Sequence, residues 1–455
     1  MIRQPRRIAL SDSEFTVVEA QWIVPVIPRA IVLDGHAVVV AGGRIHDLLP
    51  AHEARERFPG ARRIDLAGHV LIPGLVNLHT HAAMTLMRGL ADDRRLMDWL
   101  HNHIWPTELR LVSPDFVEDG TLIACAEMLR GGITCFNDMY FFPEAAARAV
   151  LRSGMRAVLG MIVVEFGSPY ATDASDYLSK GLALRDKLKD EPLLSFCLAP
   201  HAPFTVSDAS FAKVATYSSE LDVPVHVHLH ETADEVRDSL AAHAIRPVRR
   251  LEGLGLLGPN LIAVHAVHLL DEEIALLAGY GCNVAHCPSS NLKLASGIAP
   301  VARLAAERVN VGLGTDGAAS NNRLDLFTEM RLAALLAKGA SGDATALPAN
   351  AILEMATINA ARALGLEDRI GSLTPGKSAD MTAVDLTAPE LTPCFDPVSH
   401  LVYAAGREHV SHVWVGGELL VEAGRLTRID RNELAAKAAR WKDRIRSQDP
   451  GPRIQ

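Results

Sequence analysis

Little in this chain would tie it to nucleic acid, a membrane or an oxidising compartment. Lys and Arg number 45 against 54 Asp and Glu, a formal net charge of -9, so no basic excess exists to neutralise a phosphate backbone. Pro, Gly or charged residues interrupt every apolar run before it reaches membrane-spanning length. The N-terminal MIRQPRRIALSDSEF carries arginines without a following apolar stretch and does not read as a secretory signal. The six cysteines, at 125, 135, 197, 282, 287 and 394, form no Cys-x-x-Cys pair, and a chain of 455 residues needs no disulfide staples. They read as reduced thiols of a cytoplasmic protein. Aromatic residues are scarce at 5%, but 49% of the chain is hydrophobic, enough for a core larger than one barrel requires. The expected partner is a small molecule that is not strongly anionic, with no nucleic acid and no membrane.

Two β-rich flanks enclose a long α/β middle. The first holds FTVVEAQWIVPVI and AIVLDGHAVVVAGGRIHDLLP, in which DGH and AGGR read as turns between strands. The second holds ADMTAVDL and HVSHVWVGGELLVEAGRLT. Neither flank has enough core alone, so the two are expected to join as one small β-sandwich. The resulting division is 1–70 and 371–430 for the two sandwich halves, 71–370 for the α/β middle, and 431–455 for a C-terminal helix and a frayed tail. The middle alternates helical patterns with eight strand-like runs: LIPGLVNLHTH, ITCFNDMY, RAVLGMIV, LLSFCLAPH, VPVHVHLHE, LIAVHAVH, CNVAHCP and VNVGLGTDG. Eight such units predict a closed (β/α)₈ barrel of the TIM type. An open doubly wound sheet is the structural rival, but no GxGxxG follows the first strand.

Polar residues gather at the C-terminal ends of these runs, where barrel enzymes place their sites. His79-Thr80-His81 ends the first; alternation puts both imidazoles on one face, close enough to share a metal. The bland alternative is two satisfied polar residues at a strand end. The fifth run carries His226, His228 and His230 at one parity, followed by Glu231. Interior barrel positions favour Val, Ile and Leu, so three histidines there are unusual, although one functional histidine with two hydrogen-bonded neighbours would also account for them. His265 ends the sixth run, with His268 in the loop beyond, and Gly314-Thr315-Asp316-Gly317 ends the eighth. A lone TDG is ordinarily a turn, but opposite an HxH its carboxylate becomes a ligand candidate. Imidazole with carboxylate suits Zn²⁺, which in a catalytic site keeps one position for water and lowers its pKa to about 7. A general acid/base must stand beside that water, and Glu231 is the best-placed carboxylate.

PGLVNLHTHAAMTLMRGLADD, HLHETADEV, AVHAVHL, HCPSSNLKLASGIAPV and GLGTDGAASNN resemble the motifs of the amidohydrolase superfamily, within it those of the 5-methylthioadenosine/S-adenosylhomocysteine deaminases. The likeness runs from about residue 70 to PGKSAD near 380. It implies His79, His81, His228 and Asp316 as metal ligands, His228 being chosen because Glu231 follows it by three. It implies Glu231 and His265 as catalytic groups beside the water, with Asp316 helping to deprotonate it. Glu108 in WPTELRL would grip ribose hydroxyls, and His201 and His265 would contact substrate. Relatives with two metals bridge them by a lysine on the fourth strand; LLSFCLAPH has none, so one zinc per subunit is implied. A homo-oligomer is a further implication.

The expected reaction is hydrolytic deamination of an adenine nucleoside to its inosine analogue. A free base such as guanine or 8-oxoguanine, or an s-triazine, is the rival substrate, against which Glu108 argues; a non-enzymatic scaffold would have lost ligands. Arg88 reads as a structural ion-pair residue, and Trp105 as either a pocket wall or packing. The stretch VVEFGSPYATDASDY holds no arginine, but Glu165, Asp173 and Asp176 beside Phe166, Pro169 and Tyr170. Those acids would repel the carboxylate of an adenosylhomocysteine tail, and the aromatics would suit a methylthio group.

Overall fold

The computed structural model describes residues 15–448; the expectations about the start of the chain and about fraying of its last residues fall outside them. The first flank folds as strands β1 (Phe15–Ile23), β2 (Leu33–Ala41) and β3 (Arg44–Pro50), the short helix α1 (Ala51–Arg57), and β4 (Arg62–Pro73). Eight strands follow: β5 (Leu75–Thr80), β6 (Ile133–Asp138), β7 (Arg156–Val163), β8 (Leu194–Pro200), β9 (Val225–Leu229), β10 (Leu261–His265), β11 (Asn283–His286) and β12 (Asn310–Leu313). The second flank supplies β13 (Met381–Asp385), β14 (Val410–Val415), β15 (Glu418–Glu422) and β16 (Arg425–Leu426), and a helix spans Arg431–Gln448.

The two flanks do join. Their strands run β16-β15-β14-β13-β4-β1-β2-β3, with β4 antiparallel to β13 at the join. Val18, Val38 and Ile45 of one flank pack with Met381 and Trp414 of the other in a shared core. Of the two expected turns, AGGR connects β2 to β3, whereas DGH lies inside β2. Gly35 there takes a φ of 62° and drops out of the pairing with β1, so the tripeptide is a kink in a strand rather than a reversal.

In the middle, β5 to β12 pair in sequential order, every ladder parallel, and helices separate them. Strand residues are almost wholly buried, as expected when helices cover the outside and side chains fill the inside. The seam between β5 and β12 is closed by a side chain. Asn77 donates from Nδ2 to Thr315 Oγ1 at 2.8 Å and accepts the Thr315 N–H at 2.9 Å, while the Asp316 N–H reaches the His79 carbonyl at 3.0 Å. This clip fixes the last turn of the eighth unit against the first.

The run LIPGLVNLHTH, expected to be one strand, serves two sheets. Leu71–Pro73 complete β4, and Leu75 starts the barrel. Gly74 makes the crossing because a Cβ there would stand 2.1 Å from Thr134 Oγ1, a distance no side chain tolerates. A buried ion pair holds the two sheets together: Arg156 Nε at the start of β7 donates to Asp380 Oδ2 at 2.9 Å, just before β13. Such a pair fixes relative orientation more than it adds stability, since both charges were desolvated to form it.

Candidate active site

The C-terminal ends of β5, β9, β10 and β12 converge on one point. His79 ends inside β5 and is fully buried; His81 lies just past the strand end and lines the cavity. Asp316 follows β12 by three residues, and its Oδ1 lies 3.2 Å from His79 Nε2 and 3.3 Å from His81 Nε2. Gly314 permits this approach, because a Cβ there would lie 2.8 Å from the Cβ of His79. His230, His265 and Asp316 hold φ values of 55°, 71° and 61°, a left-handed backbone uncommon for residues with side chains. Of these, His265 and Asp316 face one cavity, and backbone strain of this sort is often found at functional sites.

The sequence placed three histidines of the fifth strand on one face, and the structure separates them. His226 and His228 sit within β9. His230 lies beyond it, and its positive φ turns the ring away: Nδ1 reaches the His268 carbonyl at 3.0 Å and Nε2 accepts the Val248 N–H at 3.0 Å. His226 turns inward, its Nε2 2.9 Å from Nδ1 of His79. Only His228 of the three lines the cavity.

Each candidate ligand is held in place by hydrogen bonds. His81 Nδ1 donates to the Met139 carbonyl at 2.6 Å, His228 Nδ1 to the His201 carbonyl at 2.7 Å, leaving both Nε2 lone pairs free to bind. Asp316 Oδ1 accepts the Gly317 N–H at 2.7 Å and Oδ2 accepts from Ser290 Oγ at 2.6 Å. Burial keeps His79 neutral by lowering its pKa to about 4, and drives His228 well below its ordinary value. Burial opposes ionisation of Asp316, but the imidazoles of His79, His81 and His265 around it hold its carboxyl well below the usual range. Neutral imidazoles and an ionised carboxylate are the forms a metal needs.

The donor set fits zinc. His79 Nε2 is buried with no hydrogen-bond partner, as expected of an atom whose partner is a cation. Donor atoms of His79, His81 and Asp316 lie within 4.8 Å of one another, as do those of His79, His228 and His265. Two ligands each ~2.0–2.1 Å from one tetrahedral ion stand about 3.3 Å apart, the spacing found for Asp316 and the β5 histidines. The fourth barrel strand contains no lysine to bridge a second ion.

Around this centre lies a cavity of about 420 Å³ lined by His81, His228, His265, Asp316, Glu231, His201 and Glu108, so every expected site residue except the deeper His79 faces it. Glu231 Oε2 lies 3.8 Å from His265 Nε2. Burial raises the Glu231 carboxyl above its ordinary range, and the His265 ring beside it opposes that rise. Burial pushes Glu108 up to about 7, against a hydrogen bond of 2.7 Å from Tyr140 Oη. His201 is pushed down to about 3 by burial, and its Nδ1 meets Thr205 Oγ1 at 2.9 Å. Trp105 lines the cavity mouth with Phe166, their ring centroids 5.8 Å apart. Arg88 pairs with Glu127 outside the cavity, the structural role expected of it.

The acidic loop is a correction. Asp173 caps the following helix by accepting from the Ser175 and Asp176 N–H groups, Asp176 pairs with Lys180 at 2.9 Å, and Glu165 accepts the Ser207 N–H at 2.9 Å. None of the three lines the cavity. Phe166 and Pro169 do, but Tyr170 packs against Phe142 and Tyr177 instead. Residues that the sequence left without roles are Ser290 on Asp316, and Asn291, whose Oδ1 accepts from His265 Nδ1 at 2.8 Å. Both stand in the HCPSSN string, whose family likeness was the one signal available for them.

Residues 70–420 match the profile of the amidohydrolase family. A protein of Teredinibacter turnerae named 5-methylthioadenosine/S-adenosylhomocysteine deaminase is 48% identical, covering 94% of this chain and 97% of its own length. One of the same name from Saccharophagus degradans is 46% identical, over 95% and 97%. Among solved structures, an adenosine deaminase from Xanthomonas campestris with bound zinc superposes with a TM-score of 0.93 at 48% identity, covering 95% of this chain and 98% of that one.

Proposed function

The chain belongs to the amidohydrolase family, and on that premise we propose that it is a zinc-dependent deaminase of adenine nucleosides, 5-methylthioadenosine and adenosine foremost, yielding the inosine analogue and ammonia. The observation that carries this reading is the convergence of His79, His81, His228 and Asp316 at the base of a cavity whose walls also bear a buried acid beside the centre, Glu231, and a second carboxylate, Glu108. When bound there, zinc would supply a water with pKa lowered to about 7, the nucleophile for C6 of the adenine ring.

The chain's own groups do the rest. Glu231 takes a proton from the water and delivers it to N1 of the ring, work for which a carboxyl raised by burial is suited. His265, its Nδ1 fixed by Asn291, presents Nε2 to the water and to the departing amine. Asp316 accepts the second proton of the water from the C6 hydroxyl and returns it to the C6 amino group, which leaves as ammonia, so C6 exchanges its exocyclic nitrogen for an oxygen. His201, held neutral, offers Nε2 to the substrate. Glu108, with Tyr140 as its partner, accepts the ribose hydroxyls. The same logic of metal-activated water and an unligated Glu deaminates nucleobases on another fold.

This reading takes the enzyme to be cytoplasmic, to hold one zinc per subunit and to assemble as a homo-oligomer. No helix among the described residues is long and apolar enough to cross a membrane. Deamination of adenosine, methylthioadenosine, adenosylhomocysteine, guanine and an s-triazine, followed side by side by ammonia release, tests it. Turnover of the nucleosides is expected; turnover of the free base or triazine alone would overturn it.

A further inference from the structure

Glu231 lies two residues beyond the end of β9 and lines the cavity, and its backbone amide meets a carboxyl group on the next helix. The sequence Thr232-Ala233-Asp234-Glu235 has the form of a capping box, Thr-x-x-Glu, at the start of the helix Ala233–His243. Half of the box is present: Thr232 Oγ1 accepts the Glu235 N–H at 3.2 Å. In a capping box the Glu side chain would return to the N–H of Thr232 itself. Here it reaches further back. Glu235 Oε1 accepts the His230 N–H at 3.0 Å and Oε2 accepts the Glu231 N–H at 2.8 Å. Both amides lie just past the end of the β9 ladder, where the backbone of His230 has turned to a φ of 55°. A buried amide without a partner is costly, and the Glu235 carboxyl satisfies two of them at once. The ring of His230 is held from the other side by the His268 carbonyl and the Val248 amide.

We propose that Glu235 is a positioning residue for Glu231: its two oxygens fix the strand-end backbone that aims the Glu231 carboxyl at the reacting ring. Glu235 touches neither substrate nor metal ligand; it acts through the amide it grips. A side chain that merely capped its helix would be expected to bond at Thr232, and its loss would affect the fold without regard to Glu231. The inference rests on the proton-carrying role of Glu231 given above.

A double-mutant cycle separates these cases, with zinc content measured on every protein. Glu235→Gln keeps the shape but offers one acceptor instead of two. In the otherwise unaltered enzyme it is expected to lower kcat at least about tenfold, with KM changed less than about threefold and zinc retained. In the Glu231→Gln background the same change is expected to cost less than about twofold, because no catalytic carboxyl remains to be aimed. An equal loss in both backgrounds, or loss of zinc, would overturn the positioning role alone. A Glu231→Gln enzyme with normal turnover would overturn the role of Glu231 and this inference with it. Should Glu235→Gln not fold, Glu235→Asp carries the same cycle, since it keeps the charge but is one methylene too short to reach both amides.

Discussion

Nε2 of His226 lies 2.9 Å from Nδ1 of His79, imidazole to imidazole, where metal-binding histidines ordinarily meet a carboxylate or a carbonyl. With His79 binding through Nε2, its Nδ1–H donates to His226, which fixes the tautomer and aim of the most deeply buried ligand. His226 is itself fully buried and does not line the cavity. Replacing His226 by Ala is therefore expected to weaken zinc binding about 10- to 100-fold while His228 and the cavity walls stay in place. Competition with a chelator reads this directly, and unchanged affinity would remove His226 from the ligand system.

Glu231 is expected to move protons without holding the metal. Glu231→Gln should retain zinc and lose about 10²–10⁴-fold in kcat. His265→Asn should also impair turnover with zinc retained, since Asn291 holds His265 by the nitrogen opposite the one facing Glu231. Metal loss in Glu231→Gln would contradict the assignment. Metal loss in His265→Asn would make His265 a ligand, for which its place beside His79 and His228 leaves room.

Glu108 ties substrate binding to pH. Burial raises its pKa to about 7 from an ordinary value of 4.5, so it ionises late. Only the carboxylate accepts from both ribose hydroxyls, so kcat/KM for adenosine should climb as pH rises through about 7, and Glu108→Gln should flatten that limb. Stability runs the other way. The unfolded chain releases this proton near 4.5 and the folded one near 7, so Glu108 costs stability increasingly as pH rises through that window. Thermal melting should show Glu108→Gln gaining more at pH 8 than at pH 5. The 2′-deoxy substrate should lose roughly ten- to a hundredfold in kcat/KM, a penalty that shrinks in Glu108→Ala.

Methylthioadenosine and adenosine are expected to exceed adenosylhomocysteine in kcat/KM, although for a reason other than the acidic loop. Glu165, Asp173 and Asp176 are engaged locally, but among the described residues no Lys or Arg lines the cavity either, and its mouth is formed by Trp105, Leu109, Phe166 and Phe204. An amino-acid carboxylate among these apolar side chains meets no cation of the described residues to offset its desolvation. Steady-state kinetics with adenosylhomocysteine as the best of the three would defeat this expectation.

The barrel was legible because each of its eight strands is a short apolar run between helical patterns, and the site was legible because its polar residues stand where those runs stop. What could not be read was where a strand stops to the residue. His230 shares the parity of His226 and His228, yet β9 ends at Leu229 and the next φ is positive, so the parity argument failed one residue beyond the ladder. LIPGLV hid a change of sheet because both halves are buried and apolar; the pairing of Pro73 with Met381 and of Leu75 with Ile133 reveals the crossing. Asp173 and Asp176 were misread for the opposite reason. Their partners are the backbone amides and Lys180 of their own helix, a local use of charge that composition cannot distinguish from a surface facing the substrate.

Metal content and turnover measured on the same preparation test the central claim most directly. Zinc returned stepwise to chelator-treated protein should restore adenosine and methylthioadenosine deamination in proportion to metal bound, with both saturating at one zinc per chain. His79→Ala, His228→Ala and Asp316→Ala should fail to bind it. Activity that persists without metal, or that requires two tightly held ions per chain, would contradict the account.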